Sequence, residues 1–315
     1  MLRQVLTVLV TFLSFLLVLA EVQAAEIERE SRHVLKGRII RSLAIDPGDP
    51  HHALVGQKGA KQGSALVFQT LDGGKTWRTL NGNRPLGPKA MDVQAVAALS
   101  KDILLAGTWK HGLYRSKDGG RDFVRLTSFP SLDIRDLQIA DDVIYAATGQ
   151  EGVFASSDIG ETWQALGSGK DFLWSLTADE GRLFANSPEA GVFEKRGASW
   201  SKVFTSDKAY ASAVHSSGNA WQAVAGETGL YAGSENNWRK IVPDDKFADV
   251  LIIDQTHLLA ASWSRGVSVV TADGAVQKRL VENLPAIHLQ RTDDQLFIGT
   301  WGKGLHILPW SSVLP

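Results

Sequence analysis

A strand-like motif that opens with glycine recurs along the chain at nearly constant spacing. Each copy continues with an aliphatic residue and usually an aromatic one. The copies begin at Gly112, Gly152, Gly191, Gly229, Gly266 and Gly304, at intervals of 40, 39, 38, 37 and 38 residues, and Ala65-Leu66-Val67-Phe68 forms an earlier seventh copy. A repeat of this length predicts an architecture built from copies of one supersecondary unit.

Each copy lies in the same local context. An alternating run that ends in small residues, such as Ile103–Thr108, precedes the glycine, and another apolar run, such as Asp136–Ile139, lies further upstream. A fourth run begins on an aromatic residue, such as Trp163. Turn residues separate the runs, and no segment with helical periodicity exceeds two turns. We therefore predict an all-β fold, a seven-bladed β-propeller of four-stranded antiparallel blades.

The two ends of the chain predict how the ring closes. The last repeat supplies three strands before Trp310–Pro315, and Ser31–Lys36 is a strand-like run without a blade of its own. We expect this N-terminal run to pair into the seventh blade as its fourth strand, which closes the ring and covers an exposed edge. A short fourth strand at Ser311–Leu314 is the alternative.

Residues 1–24 have the pattern of a secretory signal peptide. Arg3 precedes the apolar run Val5–Leu19, and Val22-Gln23-Ala24 places small residues at the −3 and −1 positions of a cleavage site. An uncleaved anchor is the alternative. Residues 25–315 then form a single propeller domain without a second apolar run of membrane length. We expect a periplasmic or secreted monomer.

Composition narrows the possible chemistry. The chain has no cysteine, which excludes disulfides, thiol catalysis and cysteine-ligated metals. A net charge of −1 gives no signal for binding nucleic acid. The eight histidines lack the spacing of a helical metal site, and no phosphate-binding loop is present, so we expect no cofactor and no metal.

The turn after the third strand of a unit has a recurring pattern. Thr70–Trp77 and Ser156–Trp163 both read Ser/Thr-x-Asp-x-Gly-x-Thr-Trp, and Ser116–Gly120 matches the first half. In such a turn the Asp and Ser/Thr side chains hydrogen-bond the backbone, and glycine permits a positive φ. We therefore assign a structural rather than a catalytic role to the aspartates of these turns, Asp72, Asp118 and Asp158.

These turns resemble the Asp-box, or BNR, repeat. With a signal-like segment before one seven-bladed ring, the chain most resembles Ycf48-like photosystem II assembly factors, and this resemblance covers nearly all of residues 25–315. It implies an exported, non-enzymatic propeller that binds a protein partner, as an assembly or stability factor for a membrane or periplasmic complex. It also implies an arginine-rich patch on the face opposite the Asp-boxes.

Sialidases and other glycosidases also contain Asp-boxes, so an enzyme is the alternative. A sialidase needs three arginines and a tyrosine nucleophile, but no tyrosine follows Tyr231, where that family would place its nucleophile. Glu151, Glu189 and Glu227 occupy equivalent loops and leave a glycosidase with paired carboxylates open. If the protein is an enzyme, we expect a glycoside hydrolase.

The loops between second and third strands lie on the face opposite the Asp-boxes. Tryptophan stands three positions before the glycine in three of them, cations follow it, and two arginines stand where first strands begin. Exposed tryptophan and arginine are enriched at binding hot spots, and cations beside aromatic rings suit an acidic peptide segment or an anionic sugar. The alternative is that the tryptophans pack between blades. The candidate partner-binding residues are Arg41, Trp109, Lys110, His111, Arg135, Trp263, Arg265, Trp301 and Lys303.

Overall fold

Seven four-stranded antiparallel sheets make up the described part of the chain. The computed structural model describes residues 32–87, 89–167, 172–179, 181–205, 208–215, 221–234 and 237–313. The candidate signal peptide, residues 1–24, lies outside the described residues. No helix within the described ranges has the length and apolar character needed to cross a membrane.

The first three blades follow the N-terminal strand. Their strands are β1 (Arg32–Val34), β2 (Ile39–Asp46), β3 (Asp49–Lys58), β4 (Val67–Thr70), β5 (Arg78–Thr79), β6 (Val93–Ala98), β7 (Leu104–Thr108), β8 (Gly112–Ser116), β9 (Val124–Arg125), β10 (Ile134–Ala140), β11 (Val143–Thr148), β12 (Val153–Ser156) and β13 (Gln164–Gly167). A short 3-10 helix, Asn81–Asn83, follows β5.

The last four blades continue in the same order. Their strands are β14 (Ser175–Asp179), β15 (Arg182–Ser187), β16 (Gly191–Arg196), β17 (Ser199–Phe204), β18 (Ala209–His215), β19 (Trp221–Gly226), β20 (Gly229–Ser234), β21 (Asn237–Pro243), β22 (Phe247–Ile252), β23 (His257–Ser262), β24 (Gly266–Thr271), β25 (Val276–Val281), β26 (Ala286–Arg291), β27 (Gln295–Thr300) and β28 (Leu305–Pro309). A 3-10 helix, Trp310–Ser312, ends the described chain, so the described residues of the alternative fourth strand at 311–314 form no strand.

The predicted fold class is confirmed. The first strands of successive blades pack side by side from β2 through β26, and β26 packs in turn against β2. At that seam the fully buried Ile40 of blade 1 shares a hydrophobic cluster with Phe297, Leu305 and Ile307 of blade 7. Apolar contacts therefore join blades 7 and 1 at the seam of the ring.

The glycine that marks the repeat has a conformational reason. Gly112, Gly152, Gly266 and the other strand-opening glycines have positive φ, between 83° and 154°. A Cβ atom built on Gly266 would lie 1.9 Å from the carbonyl oxygen of Val281 in the neighbouring fourth strand. Only glycine combines this backbone conformation with so close an approach, and the same approach to a fourth-strand carbonyl occurs at Gly191, Gly229 and Gly304.

The N-terminal strand takes the fourth position of the last blade. β1 pairs antiparallel with β28, with Val34 opposite Leu305. A Cβ built on Gly304 would lie 2.6 Å from the carbonyl oxygen of Val34. This is the approach that Gly266 makes to its own fourth strand, so β1 lies where β25 lies in the preceding blade.

Strand direction separates two faces of the ring. The loops between second and third strands, together with the segments that lead into each first strand, lie on one face, here called the upper face. The turns after the third strands lie on the other, lower face. Since antiparallel strands reverse direction at every turn, this assignment follows from the topology alone.

Candidate functional site

The Asp-box-like turns lie on the lower face, and their aspartates bond within their own turns. Asp158 accepts hydrogen bonds from the hydroxyl of Ser156, at 2.8 Å, and from the hydroxyl of Thr162, at 2.5 Å. Hydrogen bonds from Thr162 and Ser156 lower the pKa of Asp158 to about 2. Asp72 and Asp118 make the same bonds to Thr70 and Ser116. A carboxylate kept ionised by these hydrogen bonds stabilises the turn and is unsuited to proton transfer.

A cavity of about 500 Å³ occupies the middle of the ring and is lined by the first strands of all seven blades. Each first strand has an irregularity near the upper face. In six blades the pairing register shifts at one residue of this strand, and in blade 4 Trp174 and Ser175 both face Asn186. A β-bulge of this kind redirects one side chain out of the regular alternation. The residues at this position all line the cavity: Arg41, Gln94, Arg135, Trp174, Tyr210, Ala248 and Ile287.

Arg41 and Arg135, two of the predicted residues, therefore meet at the cavity. The guanidinium carbon of Arg41 lies 5.0 Å from the ring centre of Trp174, in a blade on the far side of the ring. Burial lowers the pKa of Arg41 to about 10, with Asp92 opposing this shift and Arg135 adding to it. Arg135 donates a 2.7 Å hydrogen bond to Asp133 and stacks on Phe172. With a pKa of about 10, the guanidinium group of Arg41 is charged at neutral pH.

An arc of aromatic rings forms the opposite part of the cavity mouth, from blade 4 to blade 7. The ring centres of Trp174 and Tyr210 are 5.8 Å apart, and those of Trp263 and Trp301 are 5.6 Å apart. Lys246 lies between the two pairs, with its Nζ 5.2 Å from the ring of Tyr210 and 5.3 Å from that of Trp263. This set is called the aromatic arc below. Trp174, Tyr210 and Trp263 therefore line the cavity together with Arg41, Gln94 and Arg135 of blades 1 to 3, and Trp301 extends the arc beyond the lining.

The predicted tryptophans differ in environment. Trp263 and Trp301 are half-buried and contact each other across the junction of blades 6 and 7. Trp109 is separate and 39 % exposed, and the Nζ of Lys110 lies 4.7 Å from its ring. The sequence left open whether these rings pack between blades or face solvent. Trp263 and Trp301 pack in part between blades, whereas Trp109 faces solvent.

The remaining predicted cations lie on the outer part of the upper face. Arg265 is exposed, with its Nε 3.6 Å from a carboxylate oxygen of Asp245. Lys303 is exposed, and its carbonyl oxygen contacts His33 of the N-terminal strand. His111 is half-buried beside Lys110. The structure does not bring these residues into the cavity with Arg41 and Arg135.

Two of the three loop glutamates that left a glycosidase open, Glu151 and Glu227, have partners within the protein. Glu227 accepts a hydrogen bond from the hydroxyl of Tyr210 and lies 2.9 Å from the Nζ of Lys246. Glu151 accepts a 2.8 Å hydrogen bond from Ser131. These partners lie at or just before the start of first strands, so comparing the loops alone did not reveal them. Of these two glutamates, Glu227 is the one paired with a cation.

Several residues of the mouth were missed in the sequence analysis. Tyr210 occupies the bulge position of its first strand, as Arg41 does, so comparing the same position in the later repeats would have identified it. Lys246 and Lys58 have no such signal. Lys58 lies 5.0 Å from the ring of Trp301 and 3.9 Å from Asp92, contacts between different blades that no spacing along the chain encodes.

In five of the seven blades, the side chain of the residue after the bulge connects adjacent blades. In blades 1 and 4 a serine donates to a carbonyl of the next first strand, Ser42 to Val93 and Ser175 to Tyr210. In blades 3 and 6 an aspartate accepts from a backbone N–H of the next first strand, at 2.8 Å in both blades. In blade 7 His288 hydrogen-bonds the backbone of Arg41.

Two of these connecting residues are buried carboxylates. Burial raises the pKa of Asp136 to about 6 and that of Asp249 to about 7. Within the described ranges, these two included, no group of three or more acidic or histidine side chains is arranged to hold a metal ion.

Comparison with solved structures finds this architecture in other proteins. A structure of YCF48 bound to a D1 peptide superposes with a TM-score of 0.68 at 18% identity, over 91% of this chain and 97% of that one. The fold is that of YCF48. YCF48 from Cyanidioschyzon merolae gives a TM-score of 0.67 at 16% identity, over 90% of this chain and 100% of that one.

A third similar structure belongs to a longer protein. PorZ, a surface component of the type-IX secretion system of Porphyromonas gingivalis, gives a TM-score of 0.65 at 14% identity, over 86% of this chain and 46% of that one. No known family profile matches the sequence. No curated protein matches it either. At these identities the likeness establishes the fold, and the function must be argued from the site.

Proposed function

We propose that this chain is an exported, non-enzymatic propeller that binds a protein partner through its upper face, as an assembly or stability factor for a membrane or periplasmic complex. The observation that carries the proposal is the cavity mouth, where the aromatic arc faces Arg41 and Arg135. Large rigid rings and guanidinium groups contribute most of the energy at protein interfaces. The YCF48 structure with a bound D1 peptide supports peptide binding as a use of this fold.

The exposed cations suggest the partner's character. Trp109 with Lys110, and Arg265 with Lys303, present positive charge on two parts of the upper face, and Arg265 is only weakly paired at 3.6 Å. Positive charge beside exposed rings favours an acidic segment of the partner, steered by long-range attraction and anchored by stacking. We expect binding to weaken as ionic strength rises.

A binding experiment with matched variants tests this proposal. Immobilised protein comprising residues 25–315 is used to capture partners from a membrane extract of the source cells, and a captured protein is then titrated in purified form. Trp109→Ala combined with Arg265→Glu should weaken that affinity at least about tenfold, since each is placed at a candidate hot spot. Arg121→Glu, an exposed lower-face change, should have no effect. Equal affinity of the two variants would contradict the assignment of the upper face.

The location is tested separately. If residues 1–24 are a cleaved signal, the purified native protein begins at residue 25 and is found in the periplasmic or secreted fraction. A protein that keeps its first residues and stays with the membrane indicates an anchor instead.

Saccharide binding is the second candidate, and the aromatic arc favours it because sugar rings stack on tryptophan. A glycan array and a panel of glycosidase substrates separate the candidates. Binding of a saccharide that Trp263→Ala abolishes favours a glycan-binding protein, and hydrolysis favours a glycoside hydrolase.

A further inference from the structure

The guanidinium group of Arg41 forms neither a hydrogen bond nor an ion pair with any described residue. It stacks on Trp174 at 5.0 Å, and Asp92 and Asp136 attract it only at longer range. Guanidinium groups that are partly removed from water normally pair with a carboxylate, because each carries five donors and a permanent charge. A binding function accounts for a cation kept in this state.

A second cation makes this arrangement more costly. Arg135 lies near enough to lower the pKa of Arg41, and Asp133 neutralises Arg135 alone. Asp92 and Asp136 attract Arg41 as well, but neither forms an ion pair or a hydrogen bond with it, so its guanidinium donors have no acceptor among the described residues. A carboxylate held beside Arg41 would supply that acceptor and offset the repulsion from Arg135.

The deeper wall limits the charge of that anion. Asp136 and Asp249 line the same cavity below the bulge, and each bonds the backbone of the next blade. Their negative charge opposes a doubly charged phosphate or sulfate more strongly than a singly charged group. The flat fork of a guanidinium also matches a carboxylate in two parallel hydrogen bonds.

The wall next to the arginines offers both acceptors and a donor. The amide nitrogen of Gln94 donates to Asp92 at 3.2 Å, which orients its oxygen Oε1 away from that bond. This oxygen, Nε2 of His288 and Nε1 of Trp263 have no hydrogen-bond partner among the described residues, although all three residues line the cavity. Buried polar atoms are almost always satisfied, by water where no ligand is bound. A ligand with hydroxyl or N–H donors beside its anionic group would satisfy the two acceptors.

We propose that the mouth of the central cavity is a binding site for a carboxylate flanked by hydroxyl or N–H donors, with Arg41 as its principal ligand and Trp174 orienting Arg41. This goes beyond the proposed function, because the bound group lies inside the ring and can belong to a free small acid. A sugar acid and an acidic side chain of a protein partner both carry this chemistry. The cavity of about 500 Å³ is within the usual range for small-ligand sites.

Calorimetric titration with matched ligands tests the site and separates the two sources. D-galacturonate is compared with neutral D-galactose, and the capped peptide acetyl-Gly-Asp-Gly-amide with its Asn counterpart. At least one acid should bind at least about tenfold more tightly than its neutral match. Binding of galacturonate alone indicates a free acid as the ligand, binding of the peptide alone indicates a partner side chain, and binding of both indicates a general carboxylate site. Sulfate should bind more weakly than the acid that binds.

Variants tie the binding to the cavity. Arg41→Gln should weaken acid binding at least about tenfold, and Arg41→Lys should weaken it less, because lysine keeps the charge but loses the fork. Arg121→Gln on the lower face should bind as the wild type does. Unfolding curves show whether each variant is folded, and Arg41→Lys provides the comparison if Arg41→Gln is not. Absence of binding by both acids, equal binding of acids and neutral matches, or unchanged binding by folded Arg41 variants would overturn the proposal, and none of these results depends on whether the upper face binds a protein.

Discussion

Asp249 should contribute a pH-dependent part to the stability of the ring. Its carboxylate accepts hydrogen bonds from the backbone N–H groups of Val250 and Leu289, both at 2.8 Å. Burial raises its pKa from 3.8 to about 7 against these two bonds, and the negative charge of Asp136 adds to the rise. The folded state therefore binds this proton more tightly than the unfolded chain. The resulting stabilisation is fully present below pH 3.8 and is lost as the pH rises through 7.

The size of the effect follows from proton linkage. Between about pH 8 and about pH 5.5, a pKa raised in this way stabilises the folded state by about 2 kcal/mol, and screening by water in the channel reduces this to about 1–2 kcal/mol. Burial lowers the pKa of both His288 and His306 from 6.5 to about 4, so these groups destabilise the folded state as the pH falls below 6.5. The wild-type profile is then nearly flat, and the contribution of Asp249 appears only as a difference between variants.

Urea unfolding followed by tryptophan fluorescence measures that difference. Asp249→Asn keeps one of the two acceptors, so its free energy of unfolding should be lower by about 1–3 kcal/mol near neutral pH. On acidification, the variant should also lack the stabilisation of about 1–2 kcal/mol that protonation of Asp249 contributes in the wild type. Asp142→Asn, in an exposed lower-face turn, is the control. Equal pH dependence of the wild type and Asp249→Asn, with unchanged denaturant slopes, would refute the assignment of a buried titrating carboxylate.

Three further changes test the fold. Thr70→Val removes the hydroxyl that accepts from the N–H of Gly74 at 2.8 Å, and should lower the free energy of unfolding by about 1–2 kcal/mol in urea titration. Gly266→Ala places a Cβ against a carbonyl oxygen and should lower the melting temperature far more than Gly302→Ala. Gly302 has a similar φ of 87°, but a Cβ built on it meets no atom within 4 Å. Equal shifts in melting temperature would contradict the role of close approach. Ile40→Ala opens a cavity at the seam and should cost about 2–5 kcal/mol, whereas a much smaller loss would mean that blades 7 and 1 hold together by other contacts.

The fold could be predicted from the sequence because its main determinants are local and repeated. The positive φ of Gly112 and its equivalents recurs in every blade after the first, so one conformational requirement places glycine at six evenly spaced positions in the sequence. The strand Arg32–Val34 was also foreseeable, since the last repeat supplies only three strands of its own. The 3-10 turn at Trp310–Ser312 carried no comparable signal, because three residues are too few for a periodicity.

The candidate site was only partly foreseeable. Arg41 and Arg135 share a register that the repeat reveals, and the structure places both at the cavity. The pairing of Lys246 with Glu227 joins the start of one blade to a loop of the one before it. Alignment of the repeats compares equivalent positions in different blades, whereas this contact joins non-equivalent positions in adjacent blades. Trp263 and Trp301 were predicted, but their combination with Trp174 and Tyr210 in one aromatic arc was not, since the arc combines loop residues with bulge residues.

Adjacent residues in the first strands carry binding and stability separately. A bulge residue such as Arg135 lies outside the regular ladder, so its side chain reaches the cavity without a role in strand pairing. The next residue, Asp136, bonds the backbone of the following blade. Substitutions at the bulge should therefore change what the cavity binds at little cost in stability, while substitutions one position later should weaken the contact between blades.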